Sequence, residues 1–114
     1  MPRDARKYLW DARQAVMLVR QFSDGKTFAD YQADAFLRSA VERQLEIVGE
    51  ALNQLSKADK VISAQIPELS RIVAFRNILI HGYADVDDAL VWQVIVDKLP
   101  ELENVLRYLL PGQQ

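Results

Sequence analysis

Cysteine is absent from this chain, so disulfide staples, zinc–thiolate sites and thiol redox chemistry are excluded. Histidine is almost absent: His81 stands alone, and one imidazole per chain does not make a multi-histidine metal centre. Four glycines and four prolines in 114 residues are too few to punctuate many short strands, and they favour a small number of long helices. No uncharged apolar run approaches the ~20 residues that a membrane span requires. The opening MPRDARKYLW is charged rather than apolar, unlike a secretory leader. The expectation is one domain over residues 1–114, free of the membrane and in the cytoplasm. A strong basic excess is also missing, because the net charge is −2. Any nucleic-acid site must therefore be local rather than a property of the whole surface. Ten basic and nine acidic residues lie at or before Lys60, against four basic and seven acidic after it. The acidic last segment is thus the least suited to face a phosphate backbone.

What is present is helical periodicity. Leu9, Ala12, Val16 and Val19 recur at helical intervals, predicting a first helix from about Arg3 to Phe22, closed by a turn at Gly25. Thr27 and Asp30 form a weak capping box, so a second helix starts there or slightly later and runs to about Ser56. Gln44 falls within its apolar arc and calls for a hydrogen-bond partner. KADKVISAQIP reads as an irregular or single-turn connection. A third helix spans Pro67 to Gly82, and a fourth follows the aspartates at 85–88, whose charge complements a helix N-terminus. Pro100 predicts a kink or break before ELENVLRYLL. The pattern gives an all-α, four- to five-helix up-down bundle.

RNILIHGY, residues 76–83, is the most informative stretch. At 100° per residue, Leu69, Ile72, Val73, Leu79 and Ile80 share one arc with Arg76 at its centre. A guanidinium cannot shed its charge, so Arg76 must be paired, extended to solvent or turned toward a cleft. Asn77 and His81 are one turn apart on the polar stripe. A purely structural reading is available: Arg76 pairs with Glu46 or Glu50, His81 sits at a helix C-terminus ended by Gly82, and Tyr83 is a half-buried aromatic.

The chemical reading begins from what else is missing. There is no phosphate-binding glycine loop and no nucleophilic serine in a recognisable context. Asp87 and Asp88, adjacent in sequence, point in different directions, so no metal or other cofactor is expected. Arginine, asparagine, histidine and tyrosine still suffice for RNA cleavage by the substrate's own 2'-hydroxyl. A base takes that proton, an acid protonates the departing 5'-oxygen, and a cation holds the charge growing on the phosphoryl oxygens. Histidine, with an unperturbed pKa near 6.5, serves either proton role. Base and acid are two roles for one imidazole, and a symmetric homodimer would supply the second copy.

The pattern Arg76–x4–His81–x–Tyr83 resembles the signature of HEPN-domain ribonucleases of the HepT-like toxin branch. RKYLWDARQA, VERQLEIVGEALNQLS, RNILIHGYADVDDALVW and DKLPELENVL extend the resemblance over most of the chain. The resemblance implies a HEPN-like helical homodimer with the motif near its interface and metal-independent endoribonuclease activity. It implies catalytic roles for Arg76 and His81, with Asn77 in support. It further implies that Tyr83 is adenylylated by a partner antitoxin, a minimal nucleotidyltransferase, within a toxin-antitoxin pair that forms a higher-order complex. Phosphate added beside Arg76 would compete with RNA for the same cation. The alternative is a non-catalytic module that binds nucleotide or docks that partner.

Overall fold

A computed structural model describes residues 3–82 and 85–110. The first helix, α1 (Arg3–Ser23), buries Leu9, Ala12, Val16 and Val19 as the periodicity requires. It ends where Gly25 adopts a positive φ of 72°, a conformation that only glycine enters without strain. The Thr27–Asp30 capping box forms in full and starts α2 (Phe28–Ala33).

Here the structure departs from the expected single long helix. Asp34 takes an extended conformation, ending α2 and offering its carboxylate to the Leu37 amide (3.1 Å) to start α3 (Ala35–Ala58). A short side chain that hydrogen-bonds its own backbone competes with helix continuation, and at Asp34 it prevails. Tyr31 is thereby turned fully inward, its ring centre 5.5 Å from that of Trp92. Gln44 is only half-buried, so the demand for an internal partner falls away.

Asp59 caps a single turn, α4 (Lys60–Ser63). The next helix, α5 (Leu69–His81), begins two residues later than Pro67 suggested, because Glu68 adopts the left-handed conformation (φ 59°) and interrupts the chain. Glu68 is held there by Arg71 (3.0 Å) and Lys98 (3.1 Å), which depress its carboxyl pKa, Lys98 most. Gly82 donates to the Ile78 carbonyl and closes α5.

Asp87 caps α6 (Asp88–Gln93), which continues through a π turn (Val94–Lys98) into α7 (Leu99–Leu109). Pro100 therefore lies in the first turn of α7 and does not break the path. The preceding turn widens to five-residue spacing, with the Leu99 amide bonded to the Val94 carbonyl. That widening accommodates a residue without an amide hydrogen.

Every regular element among the described residues is helical. The core joins Leu9 and Val16 of α1, Val41, Val48, Leu52 and Leu55 of α3, and Leu102 and Leu106 of α7. The α1–α3 pair is the central interface. In contrast, α5 packs chiefly on α3 and contributes one buried residue, Leu79. An apolar groove of about 350 Å³, lined by Phe75, Ile78, Leu90 and Val94 among others, separates it from α6–α7. No helix among the described residues is long and apolar enough to cross a membrane.

Candidate active site on helix α5

The position of Arg76 is set by a glycine. A methyl group at Gly49 would stand 2.3 Å from Arg76 Cβ and 2.8 Å from its Cγ, so α3 and α5 reach this separation only because α3 has no side chain there. The close approach brings the guanidinium over the next residue, Glu50. Nη2 donates to Glu50 Oε2 (2.5 Å), and Nη1 donates to Asn77 Oδ1 (2.9 Å). Glu50 is itself anchored, its other oxygen accepting from Gln54 Nε2 (3.0 Å). Of the two carboxylates proposed as partners, Glu50 holds Arg76, whereas Glu46 bonds Arg43 (3.3 Å).

A guanidinium has five N–H donors. Two are used here, and Nε is buried with no partner among the described residues. One N–H on each Nη remains, on a side chain that is 25 % exposed. The cation is thus anchored without being saturated. It faces a depression of about 220 Å³ in which the charged and polar ends of Asp11, Arg43, Glu46, Glu50 and Gln54 meet the apolar surfaces of Tyr8, Ile47, Ala51 and Ile80.

His81 is exposed at the C-terminal end of α5 and is not among the residues lining that depression. Asn77, also exposed, is one turn from it in the helix and bonds Arg76. Tyr83 lies outside the described residues. The structure therefore brings Arg76, Asn77 and Glu50 into contact and leaves His81 facing solvent on the same helix. Asp87 is occupied as a helix cap and Asp88 lies near Arg38 (4.0 Å). Among the described residues no three His, Asp or Glu side chains converge as a metal site requires.

Sequence reasoning missed Tyr8, Asp11, Arg43 and Gln54 as lining residues, because nothing in local periodicity reports which helices meet. It also left Gly49 unexplained, although a glycine inside a strong helical pattern is itself a sign of close backbone approach.

An all-helical bundle carrying arginine, asparagine and histidine on one helix, with the arginine anchored at a depression between helices, defines a narrow class of protein. A family model described as "Ribonuclease HepT-like" matches residues 12–109, and the chain belongs to that family. It is similar to a protein of Thermococcus cleftensis named "Probable ribonuclease HepT", with 33 % identity over 106 residues, covering 91 % of this chain and 94 % of that one. A protein of Caldanaerobacter subterraneus subsp. tengcongensis named "Putative RNase" is 32 % identical over 109 residues, 96 % of each chain. A "Putative RNase" of Methanocaldococcus jannaschii is 29 % identical over 102 residues, covering 90 % of this chain and 93 % of its own. No solved structure gives a significant match.

Proposed function

We propose that this chain is a metal-independent endoribonuclease, the toxin of a toxin-antitoxin pair, acting as a homodimer in the cytoplasm. In the reaction, the 2'-hydroxyl oxygen bonds to the adjacent phosphorus and the bond from phosphorus to the 5'-oxygen breaks. The products are a 2',3'-cyclic phosphate and a free 5'-hydroxyl. Arg76 carries the charge that grows on the non-bridging oxygens, using the N–H groups left free by Glu50 and Asn77. His81, exposed at the helix end, exchanges protons with the attacking or departing oxygen. Asn77 orients Arg76. A second subunit related by a two-fold axis supplies the other imidazole and covers the half-exposed Ile78 and Ile80 of α5.

The observation that carries this reading is the unsaturated donor set of Arg76, whose charge is paired with Glu50 while one N–H on each Nη is left unused. An arginine serving only to tie two helices together would have its donors consumed, whereas Arg76 lines an open depression. Tyr83, two residues beyond His81, is the proposed site of adenylylation by a nucleotidyltransferase antitoxin; added phosphate beside Arg76 would occupy the cation that RNA needs.

The Arg76–Glu50 pair also favours a second reading, a non-catalytic module in which Arg76 ties α5 to α3. The two readings part in one assay. Purified protein with unmodified Tyr83 is incubated with RNA and with an all-2'-deoxy strand, in the presence of a chelator. The ribonuclease cuts only the RNA and ignores the chelator, whereas the binding module cuts neither strand. Intact mass of the protein co-expressed with its antitoxin then reports adenylyl additions, which Tyr83→Phe must abolish.

A further inference from the structure

A second basic feature lies away from α5. Arg3, Arg6, Lys7 and Trp10 line one shallow depression of about 280 Å³ on α1. Their spacing of three, four and seven residues places them on a common helix face. Trp10 is 45 % exposed, and no described aromatic ring stacks on it. The charges around it are unusual within this molecule. Arg20, Arg38, Arg43, Arg71, Arg76 and Arg107 each have a carboxylate within 4 Å. Among the described residues, Arg3 and Arg6 have no such partner. In a chain of net charge −2, the two uncompensated guanidiniums therefore sit together, one and two turns before an exposed indole on the same helix.

This face is continuous with the depression that holds Arg76. Lys7 bonds Asp11 (2.8 Å) and lies 5.9 Å from the centre of the Tyr8 ring. Tyr8 and Asp11 line the Arg76 depression beside Arg43. A line of basic side chains thus leads from Arg3 and Arg6 through Lys7 to Arg43 and Arg76, with Trp10 and Tyr8 interleaved. Lys7, Arg43 and Arg76 are paired with Asp11, Glu46 and Glu50, and the unpaired charge is that of Arg3 and Arg6. Asp11 is consumed by Lys7, and Asp4 lies on the flank of the helix rather than between the arginines.

We propose that this face of α1 binds a single-stranded flank of the RNA substrate, with a base stacked on Trp10 and phosphates held by Arg3 and Arg6. The identity of the ligand as RNA rests on the ribonuclease reading; the tract itself rests on charge and geometry. Exposed base faces are what an indole recognises, and interleaved cations and aromatics are the general means of holding an unpaired strand. An anionic membrane surface would use the same charges. However, the outer face of α1 offers only Trp10 and Met17 as large exposed apolar side chains, too little for insertion at a membrane interface.

The test uses His81→Ala protein, so that RNA is bound without turnover, and a labelled single-stranded RNA oligonucleotide followed by fluorescence anisotropy. Adding Arg3→Gln and Arg6→Gln should weaken binding about tenfold at low salt and reduce the salt dependence of log Kd by about 1.4. Trp10→Ala should weaken it by roughly tenfold, and RNA should quench tryptophan emission in the parent but not in Trp10→Phe. The variants lie on the surface, and circular dichroism melting checks that they stay folded. Variants that bind RNA as the parent does, a parent that binds no RNA, or binding confined to anionic vesicles would each overturn the tract. The two readings fail separately. Unchanged binding with RNA still cut by the wild type removes the tract and leaves the ribonuclease. Tract-dependent binding with no cleavage does the reverse.

Discussion

The side chains of α5 divide between holding the fold and facing outward, and substitutions should separate the two. His81 is exposed, and its side chain makes no hydrogen bond or ion pair among the described residues. His81→Ala should leave thermal stability within about 0.5 kcal/mol of the parent, while RNA cleavage falls at least about 100-fold. A large loss of stability in the melting curve would instead mark His81 as structural. Gly49 is the opposite case. Gly49→Ala places a methyl group 2.3 Å from Arg76 Cβ, an atom fixed directly to the α5 backbone that cannot move unless the helix shifts. Urea unfolding should show a loss of about 1–3 kcal/mol from overpacking, together with reduced RNA cleavage as Arg76 is displaced. Stability equal to the parent would contradict the close approach. The need of Arg76 for a partner was legible in the sequence because an arginine on an apolar arc is physically anomalous. Its choice of Glu50 over Glu46 was not, since both lie on the same face of α3 and only helix placement selects between them.

Elements were legible where periodicity alone decides them, as in α1, α3 and α7. They were less so where one side chain overrides its neighbours. Asp34 splits an otherwise continuous pattern, and Glu68 delays α5 by a left-handed residue that propensity does not forecast. Pro100 was recognised as a disruption, but its remedy, a widened turn, depends on how α6 and α7 pack. The junction of α2, α3 and α6 gives a pH prediction. Burial first, then repulsion from Asp88 and Glu46, raises the Glu42 carboxyl pKa, with Arg38 opposing. Folded Glu42 therefore holds its proton more tightly than unfolded Glu42. Stability should fall as pH rises from the ordinary glutamate range to the raised value, and then level off. Glu42→Gln removes that penalty. At pH 7 it should stabilise the protein by less than about 1 kcal/mol, because the site is partly solvated, and the gain should vanish below about pH 4. Urea titrations at both pH values measure it. A destabilised variant at pH 7 would reverse the sign and contradict the assignment.

At the scale of the whole molecule, α5 is attached on one side only, with an apolar groove on its other flank and His81 at its exposed end. This asymmetry is what a second subunit would complete, and neither composition nor periodicity reveals it. If two imidazoles share the reaction, sedimentation should show a dimer at assay concentrations. Mixing wild-type with an equal amount of freely exchanging His81→Ala protein should then leave activity only in the wild-type dimers, about a quarter of all dimers, because a mixed dimer holds a single imidazole. Activity at about half of wild-type, the value for independent subunits, would contradict the shared pair. The most direct measurement of the central claim is end-group analysis of RNA cut by the unmodified protein, comparing wild type with His81→Ala. Wild type should leave 2',3'-cyclic phosphate and 5'-hydroxyl ends, and His81→Ala should leave the RNA intact. Ends carrying a 5'-phosphate, or equal cleavage by both proteins, would contradict attack by the substrate's own hydroxyl with proton transfer by His81.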